Sequence, residues 1–454
     1  IGEGKVLRCV KGLYGLKNAG HLWIKDLTKS LLSMGFEEST ADQSLFLLKE
    51  DQEIVCAIAV WVDDLMVACR DTKFIDKFVK EVEDQGFVLS SIGDLEFFLG
   101  MKIEFHDDRT VTVSQRAYIE DMLTRFGFQG HGKHNPLPPE KTLSHRDMPE
   151  PESKDWKTEN VECTFEVRQA VGALYHLARW SLPEILFAVN HISQFQTHSK
   201  AQCWPRICDV MAYISANKTA TQTFGKKETP MIMFVDANFG GCARHKGTSR
   251  KPPSLEDIEK MDDAKAKAEC IKWMKIEIQK TTHHIEDVKS QYGYVCFFYG
   301  GPGSYRSKKI TTITQSSTEA EILGLNEAIR ECLYLRKLCN DFGVTPNNGK
   351  RMRTDPDNVA ERDPMIVFED NNGAKATAEK RQTTQRNKQL AIREFWCAEK
   401  VKERWVKVES VKSSLNVADI MTKPLHEPTF RKLRGWLRGI DWPEAGSGPQ
   451  VNFD

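Results

Sequence analysis

Residues 54–69 read IVCAIAVWVDDLMVAC, with two apolar runs on either side of Val62-Asp63-Asp64. Short apolar runs that flank acidic turn residues are typical of a β-hairpin, so the sequence predicts strands over 54–61 and 65–69. Two adjacent carboxylates at a hairpin tip offer the hard oxygen ligands that Mg²⁺ prefers. The alternative is an ordinary turn, because aspartate favours turns through hydrogen bonds to its own backbone. On spacing alone both interpretations stay open.

The segments next to this hairpin mix helical and extended patterns. Residues 28–34 predict a helix. Residues 97–105 and 110–114 predict a second pair of strands, separated by the polar residues His106-Asp107-Asp108-Arg109. We therefore expect a domain of mixed α and β structure over residues 1–128.

A change in composition marks the end of this domain. Residues 129–160 contain five of the 18 prolines and few apolar residues, which indicates a linker. Residues 161–228 are mainly helical in pattern. Residues 245–290 repeat apolar positions every three or four residues after Ser254, a candidate N-cap, and this predicts a long amphipathic helix inserted in the last domain. The tail 441–454 contains Gly, Pro and Ser, and we expect it to be flexible.

The composition supports packed domains inside a cell. With 454 residues, 40 % of them hydrophobic, the chain can form about three domains. Lys plus Arg equals Asp plus Glu at 64 each, so a nucleic-acid surface requires local segregation of charge. The absence of a long apolar run and of a charged-then-apolar leader argues against a membrane protein and a secreted one. The 12 cysteines form no CxxC pair, as expected of reduced thiols. We expect an intracellular protein of a cytoplasmic particle or the nucleus.

Four acidic residues of the C-terminal half stand where elements begin or end. Asp236 follows the apolar run 231–235, and Asp370 follows the run 365–369. Glu321 lies near the start of an amphipathic helix, and Asp419 precedes Ile-Met-Thr-Lys-Pro. Carboxylates placed at the ends of strands and helices are candidate metal ligands.

Ordinary structural roles compete with this interpretation. Asp370 could be the N-cap of the helix that follows it, and Asp419 could cap the short helix that reaches Lys423. Glu319 lies three residues after Ser316 and fits a capping box, so we expect Glu319 to be structural. Taken singly, these structural alternatives are favoured over the metal interpretation.

The N-terminal part contains a series of motifs, in this order: Lys11-Gly-Leu-Tyr-Gly-Leu-Lys-Asn-Ala-Gly20 with Trp23, Gly35-Phe36, Ala41-Asp-Gln-Ser-Leu-Phe46, Trp61-Val-Asp-Asp64, Gly93-Asp-Leu-Glu-Phe-Phe-Leu-Gly100, and Val113-Ser-Gln115 with Tyr118. Together they resemble the reverse transcriptase of Copia-type long-terminal-repeat retrotransposons. The resemblance implies that Asp63 and Asp64 are metal ligands in the polymerase palm. It also implies that Tyr14, Gly15 and Lys17 contact the template and that Trp61 lies on the nucleotide side.

Two features depart from that family. The family usually has Tyr before Val-Asp-Asp, where this chain has Trp61. The family's third metal aspartate precedes the first of these motifs, and this chain starts at Ile1, after that position. We therefore expect a piece of a longer polyprotein whose upstream part is missing, and we expect no polymerisation from the chain alone.

The succession Asp236, Glu321, Asp370 and Asp419 resembles the ribonuclease H domain of the same elements. The resemblance implies that these four carboxylates bind two Mg²⁺ ions, with Mn²⁺ as the alternative, and that Asp236 bridges the two. Such a pair of ions activates a water and stabilises the leaving oxygen during RNA cleavage. One departure is the stretch 385–389, Gln-Arg-Asn-Lys-Gln, where the family is rich in histidine.

Positive charge accumulates near the C-terminus. Residues 379–438 contain 15 Lys or Arg against 7 Asp or Glu, with Trp396, Trp405 and Trp436 among them. A surface that follows phosphates and stacks bases on aromatic rings has this composition. A charged helix face over core tryptophans has it too, and the two interpretations stay open.

The predicted architecture combines α+β and α/β parts. It comprises a partial reverse-transcriptase palm over 1–128, a helical thumb or connection over 161–228, and a ribonuclease H-like mixed sheet with flanking helices over 229–440. We expect a retrotransposon reverse transcriptase with a ribonuclease H domain that hydrolyses RNA in RNA–DNA hybrids. Its expected partners are an RNA template, RNA–DNA hybrid and DNA. The alternative is a decayed or repurposed remnant that binds nucleic acid without catalysis.

Overall fold

The computed structural model describes residues 15–51, 53–89, 93–145, 148, 154–197, 200–225, 231–241, 287–346, 359, 362–380 and 391–439. These residues belong to two compact units, 1–103 with 331–363 and 104–330 with 364–454. The predicted boundaries at 128, 160 and 228 do not coincide with this division, and they stay predictions. Four predictions fall outside the described residues: Tyr14, most of the insert helix (245–286), the stretch 385–389 and the tail 441–454.

The first unit contains the predicted hairpin. Its elements are α1 (Ala19–Ser33), β1 (Glu37–Glu38), β2 (Leu45–Glu50), β3 (Glu53–Trp61), β4 (Asp64–Cys69) and α2 (Thr72–Asp84), with the strands in the order β1-β2-β3-β4. Because side chains alternate along a strand, β3 turns Cys56, Ile58 and Val60 into the core. β3 and β4 pair antiparallel with Trp61 opposite Asp64, so the predicted hairpin is confirmed.

The predicted strand over 97–105 is wrong, because the chain reverses inside it. Two short strands, β5 (Phe97–Phe98) and β6 (Met101–Phe105), pair with each other, with Phe98 opposite Met101. The two turn residues, Leu99 and Gly100, have φ values of 53° and 74°. Such a turn needs positive φ at both positions, and leucine is an uncommon choice there, so the pattern gave no turn signal.

The helical part of the second unit packs around one core. Its elements are β7 (Val111–Ser114), α3 (Arg116–Arg125), α4 (Lys154–Trp180), α5 (Leu186–Ser193), α6 (Lys200–Ala216) and β8 (Gln222–Phe224). The helical pattern predicted over residues 161–225 is confirmed in the described residues up to α6, after which β8 pairs antiparallel with β7. The predicted linker is not a free connection, since Leu137, Leu143 and Met148, three of its few apolar residues, are buried in this core.

The second unit also contains a five-stranded mixed sheet. Its strands are β9 (Ile232–Asn238), β10 (Gln291–Phe298), β11 (Gly301–Lys309), β12 (Met365–Glu369) and β13 (Val406–Ser410), in the order β11-β10-β9-β12-β13. β10 pairs antiparallel with β9 and β11, whereas β12 runs parallel to β9 and β13. Phe234 stacks on Phe368 with ring centroids 5.0 Å apart, which fixes β9 against β12.

The helices that follow the strands carry much of the chemistry described below. They are α7 (Ser317–Asp341), α8 (Asn372–Lys380), α9 (Ala391–Lys402), α10 (Asp419–Thr422) and α11 (Glu427–Leu437). The short helix α10 packs against β9 and β10 in the middle of the sheet. In the part of the chain that the structure describes, no helix is long and apolar enough to cross a membrane.

Candidate metal centre

Asp236 lies inside a strand rather than at its end. All seven residues of β9 are buried, and Asp236 is 2 % exposed. The parallel strand β12 has Phe368 opposite Phe234. Asp370, two residues after Phe368, therefore reaches the level of Asp236, two residues after Phe234. The register of a parallel pair thus sets two carboxylates side by side.

Helix α7 supplies the third carboxylate. The Ser316 hydroxyl accepts a hydrogen bond from the Glu319 N–H at 3.1 Å, and the Glu319 carboxylate accepts one from the Gln315 N–H at 2.6 Å. Glu319 is therefore structural, as predicted, and the helix start is fixed. A Cβ at Gly324 would lie 3.3 Å from the Tyr292 Cβ and 3.7 Å from the Asp236 carbonyl oxygen, so glycine lets the helix lie against the sheet. Glu321 lies on the same helix, about one turn before Gly324, and is buried.

Three predicted ligands meet in one place. Carboxylate oxygens of Asp236, Glu321 and Asp370 all lie within 4.8 Å of one another. Among the described residues, the Glu321 Oε2 atom is buried and has no hydrogen-bond partner, and the same holds for Oε2 of the adjacent Glu369. Buried carboxylate oxygens without donors are costly unless a cation completes them. The residues present therefore fit a bound cation.

Burial and mutual repulsion act on the pKa values of these groups. Burial, and then the charges of Glu369, Asp236 and Asp370, raise the pKa of Glu321 to about 11. Burial raises the pKa of Asp370 above its usual range, although hydrogen bonds from Ser413 and Asn416 oppose the effect. Burial also raises the pKa of Glu369. Proteins relieve such strain by protonation or by binding a cation, and a metal ion binds with release of the protons.

The fourth predicted ligand, Asp419, lies beside a lysine. Asp419 Oδ1 is 2.7 Å from the Lys423 Nζ atom, which is also 3.5 Å from Asp236 Oδ2. Burial and the nearby Asp236 raise the pKa of Asp419 to about 8. Burial lowers the pKa of Lys423, but the negative charges of Asp236 and Asp419 have the larger effect and raise this pKa above its ordinary value. The Lys423 ammonium thus bridges Asp419 and Asp236, one of the three carboxylates that meet at the centre.

Residues without an assigned role in the sequence interpretation hold this arrangement. The buried Asn416 donates from Nδ2 to the Val235 carbonyl oxygen at 2.8 Å and accepts from the Ala418 N–H at 3.1 Å. The Thr422 hydroxyl donates to Asp236 Oδ2. Thr422 and Lys423 belong to the same sequence motif as Asp419, so the sequence did point to this segment. The spacing of the motif alone could not predict which groups Thr422 and Lys423 contact.

The structural alternatives for two acidic residues are wrong. Helix α8 is capped by Asn371, whose side chain accepts from the Ala374 N–H at 3.0 Å, so Asp370 is not the cap. Helix α10 begins at Asp419 itself, and the preceding residue is Ala418, which has no side-chain oxygen to cap it. Neither carboxylate therefore serves as the N-cap of the helix that the sequence suggested.

The aspartate pair of the first unit is exposed at its hairpin tip. Val62 and Asp63 form the turn, and Val62 has φ 52°, a value that is strained for a β-branched residue. Trp61 is 51 % exposed, and Asp63 and Asp64 are exposed too. Among the described residues no third metal-ligating side chain joins this pair. Of the predicted template contacts, Gly15 and Lys17 are exposed before α1.

The tryptophans near the C-terminus are not a row of exposed stacking rings. Trp436 is buried in the core, with the Lys432 Nζ atom 4.9 Å from its ring centroid. Trp405 is half-buried and donates from Nε1 to the Glu403 carboxylate at 2.9 Å. For Trp436 the interpretation as a core residue is therefore correct. Basic residues of the same segment, including Lys407 and Lys412, remain exposed.

Comparison with known proteins gives a family match for the N-terminal part of the chain and similarity to longer polyproteins for the rest. Residues 1–138 match the family model for reverse transcriptase (RNA-dependent DNA polymerase). The chain is 25 % identical, over 98 % of its length, to the retrovirus-related Pol polyprotein from transposon RE2 of Arabidopsis thaliana. It is 22 % identical over 94 % of its length to that from transposon TNT 1-94 of Nicotiana tabacum, and 20 % identical over 95 % to the transposon Ty1-ER2 Gag-Pol polyprotein of Saccharomyces cerevisiae.

The chain spans only a part of these relatives. The matched stretch covers 26 % of the RE2 polyprotein, 27 % of the TNT 1-94 polyprotein and 22 % of the Ty1-ER2 polyprotein. The resemblance drawn from the motifs is thereby confirmed: residues 1–138 match the reverse transcriptase family, and the chain as a whole is similar to Copia-type retrovirus-related Pol polyproteins.

Proposed function

We propose that residues 229–440 hydrolyse the RNA strand of an RNA–DNA hybrid with the help of divalent cations. The convergence of Asp236, Glu321 and Asp370 within 4.8 Å carries this proposal. The similarity to Pol polyproteins supports a nucleic acid as the substrate class. The four acidic positions occur in the order expected of a ribonuclease H domain, which narrows the substrate to a hybrid.

The donor set favours Mg²⁺, with Mn²⁺ as the alternative. The candidate ligands are carboxylates, and hard cations prefer oxygen ligands of this kind. Asp236, Glu321 and Asp370 would hold one ion, and Asp236 with Asp419 would hold a second. When bound, such ions supply an activated water and stabilise the leaving oxygen.

The other residues of the centre keep these ligands in position. The Thr422 hydroxyl orients Asp236, and Asn416 ties the loop before α10 to strand β9. Buried hydrogen bonds of this kind around metal ligands commonly change metal affinity or activity by about 10- to 100-fold when they are removed. The rigid sheet and the capped helix α7 supply the rest of the preorganisation.

Cleavage of an end-labelled RNA–DNA hybrid in Mg²⁺ tests the proposal. Glu321→Gln keeps the size of the side chain but removes its charge, and we expect a loss of about 100-fold or more in cleavage rate. Glu327→Gln is the matched control, because Glu327 lies on the same helix but pairs with Arg330 at 3.1 Å, away from the cluster. Equal rates for the two variants, or binding of hybrid without cleavage by the folded chain, would favour the non-catalytic remnant instead.

For the N-terminal part we propose a partial reverse-transcriptase palm with Asp63 and Asp64 as metal ligands. The family match over residues 1–138 and the exposed position of both carboxylates support this assignment. Gly15, Lys17 and Trp61 would contact template and nucleotide, and the helices over 161–228 would serve as thumb and connection. Mn²⁺-dependent binding of a deoxynucleoside triphosphate, compared with that of Asp64→Asn, tests the role of the pair. Unchanged binding in the variant would remove the support for it.

A further inference from the structure

Two different sets of contacts surround Asp236. One is the group of carboxylate oxygens from Asp236, Glu321 and Asp370, which lie within 4.8 Å of one another. The Glu321 Oε2 atom, on a residue that is only 6 % exposed, has no hydrogen-bond partner among the described residues. The other is the Lys423 ammonium, 2.7 Å from Asp419 Oδ1 and 3.5 Å from Asp236 Oδ2. Lys423 therefore balances charge on Asp236 and Asp419, whereas Glu321 Oε2 has no hydrogen-bond partner among the described residues.

We infer that Lys423 is a tethered cation that holds the position between Asp236 and Asp419. While it lies there, the centre binds one divalent ion, at Asp236, Glu321 and Asp370. A second ion binds between Asp236 and Asp419 only when the lysine side chain withdraws. This inference rests on the proposed function, since it concerns the metal stoichiometry of the same centre.

The backbone at Lys423 favours movement of the side chain alone. Lys423 has φ −146° and ψ 153°, an extended conformation, and it is followed by Pro424, which disfavours helical conformations at the preceding residue. Its N–H donates to the Asp419 carbonyl oxygen at 3.2 Å. The side chain of Lys423 is 29 % exposed, whereas that of Asp236 is 3 % exposed. A flexible lysine stem can therefore carry the ammonium into solvent while the backbone stays in place.

The lysine competes directly with an ion at this position. A divalent ion between Asp236 and Asp419 must break both ion pairs of Lys423, including the 2.7 Å contact with Asp419. Loss of one partly buried ion pair of this kind corresponds to a factor of about ten or more in affinity. The first ion, bound by Asp236, Glu321 and Asp370, needs no such displacement. The two affinities should therefore differ.

Titration with Mn²⁺, followed by calorimetry and by electron paramagnetic resonance of free Mn²⁺, tests the inference on the full chain. We expect one tight ion in the wild type and a second that binds about ten-fold or more weakly. In Lys423→Met the second ion should bind about ten-fold or more tightly than in the wild type, with the first changed by less than about three-fold. Lys412→Met removes an exposed lysine from the loop before Asn416 and should leave both affinities unchanged.

A measurement on the wild type makes the test independent of how well the variant folds. Reductive methylation followed by mass spectrometry should show Lys423 protected at one bound ion and reactive once the second ion binds, with Lys412 reactive throughout. Two equal sites in the wild type, or a second affinity that Lys423→Met does not raise, would overturn the inference and leave the proposed hydrolysis standing. Absence of Mn²⁺ binding in wild type and variant would overturn both.

Discussion

His191 couples the stability of the second unit to pH. It lies on α5, is 5 % exposed, and stacks on Phe187 with ring centroids 5.9 Å apart. Its Nε2 atom accepts a hydrogen bond from the Leu143 N–H at 2.8 Å, which requires an unprotonated nitrogen. Burial, and then the charge of Lys309, lower the pKa of His191 to about 4, although Asp287 acts in the opposite direction. The folded chain therefore keeps this ring neutral where an unfolded chain would protonate it.

The sign and size of the effect follow from this difference. An unfolded histidine has a pKa near 6.5, so between about pH 6.5 and about pH 4 the unfolded state binds more protons than the folded state. The stability contributed by neutral His191 is complete above this window and is lost as the pH falls through it. The loss from this group reaches about 2 kcal/mol at about pH 5 and about 3 kcal/mol below pH 4.

Urea unfolding of the wild type and His191→Gln at about pH 7.5 and about pH 5 isolates this term. Glutamine keeps an acceptor for the Leu143 N–H but does not titrate, so other titrating groups cancel in the comparison. We expect the wild type to lose about 2 kcal/mol more than the variant on acidification. An equal loss in both proteins would show that His191 is protonated in the folded state, or that its pKa is unchanged on folding, and would refute the reasoning.

Three further predictions concern buried charge, helix capping and backbone strain. Arg438→Met leaves Glu184 buried without its ion partner and should lower the free energy of unfolding by about 3–5 kcal/mol, measured by urea unfolding. The double variant Arg438→Met/Glu184→Met should recover much of this free energy, and no recovery would contradict the pairing. Ser316→Ala should cost about 1 kcal/mol by uncapping α7, while Ser316→Asp should cost much less in the same assay. Val62→Asn should raise the melting temperature of the first unit, since asparagine tolerates positive φ; a decrease in calorimetry would exclude strain at this position.

The local sequence pattern was sufficient to predict an element where residues close in sequence determine where that element begins and ends. The apolar runs around Asp63 predicted β3 and β4, because a two-residue turn between alternating strands leaves few other arrangements. The run 365–369 predicted β12 with its observed bounds, Met365–Glu369. Ser316 and Glu319 predicted the start of α7, because a capping box is a contact between residues close in sequence.

Patterns failed where a contact joins distant parts of the chain. Asp370 reaches Asp236 only through the parallel register of β9 and β12, whose residues are more than a hundred positions apart. No local feature of Asp419 indicates that Lys423 pairs it with Asp236. The burial of Trp436 on the core side of α11 could not be predicted either, since a tryptophan among basic residues fits a surface and a core alike.

The carboxylates of the centre are positioned by groups that do not themselves bind a cation. β9 and β12 are held by apolar packing, α7 approaches them at Gly324, and Asn416 ties the last loop to β9. Neutralising Glu321 should therefore leave the architecture intact, because none of these three supporting contacts involves its carboxylate. The buried carboxylates of Asp236, Glu321 and Asp419 nevertheless cost stability when one lysine balances their charge. A divalent cation bound at these carboxylates, as proposed above, would offset this cost.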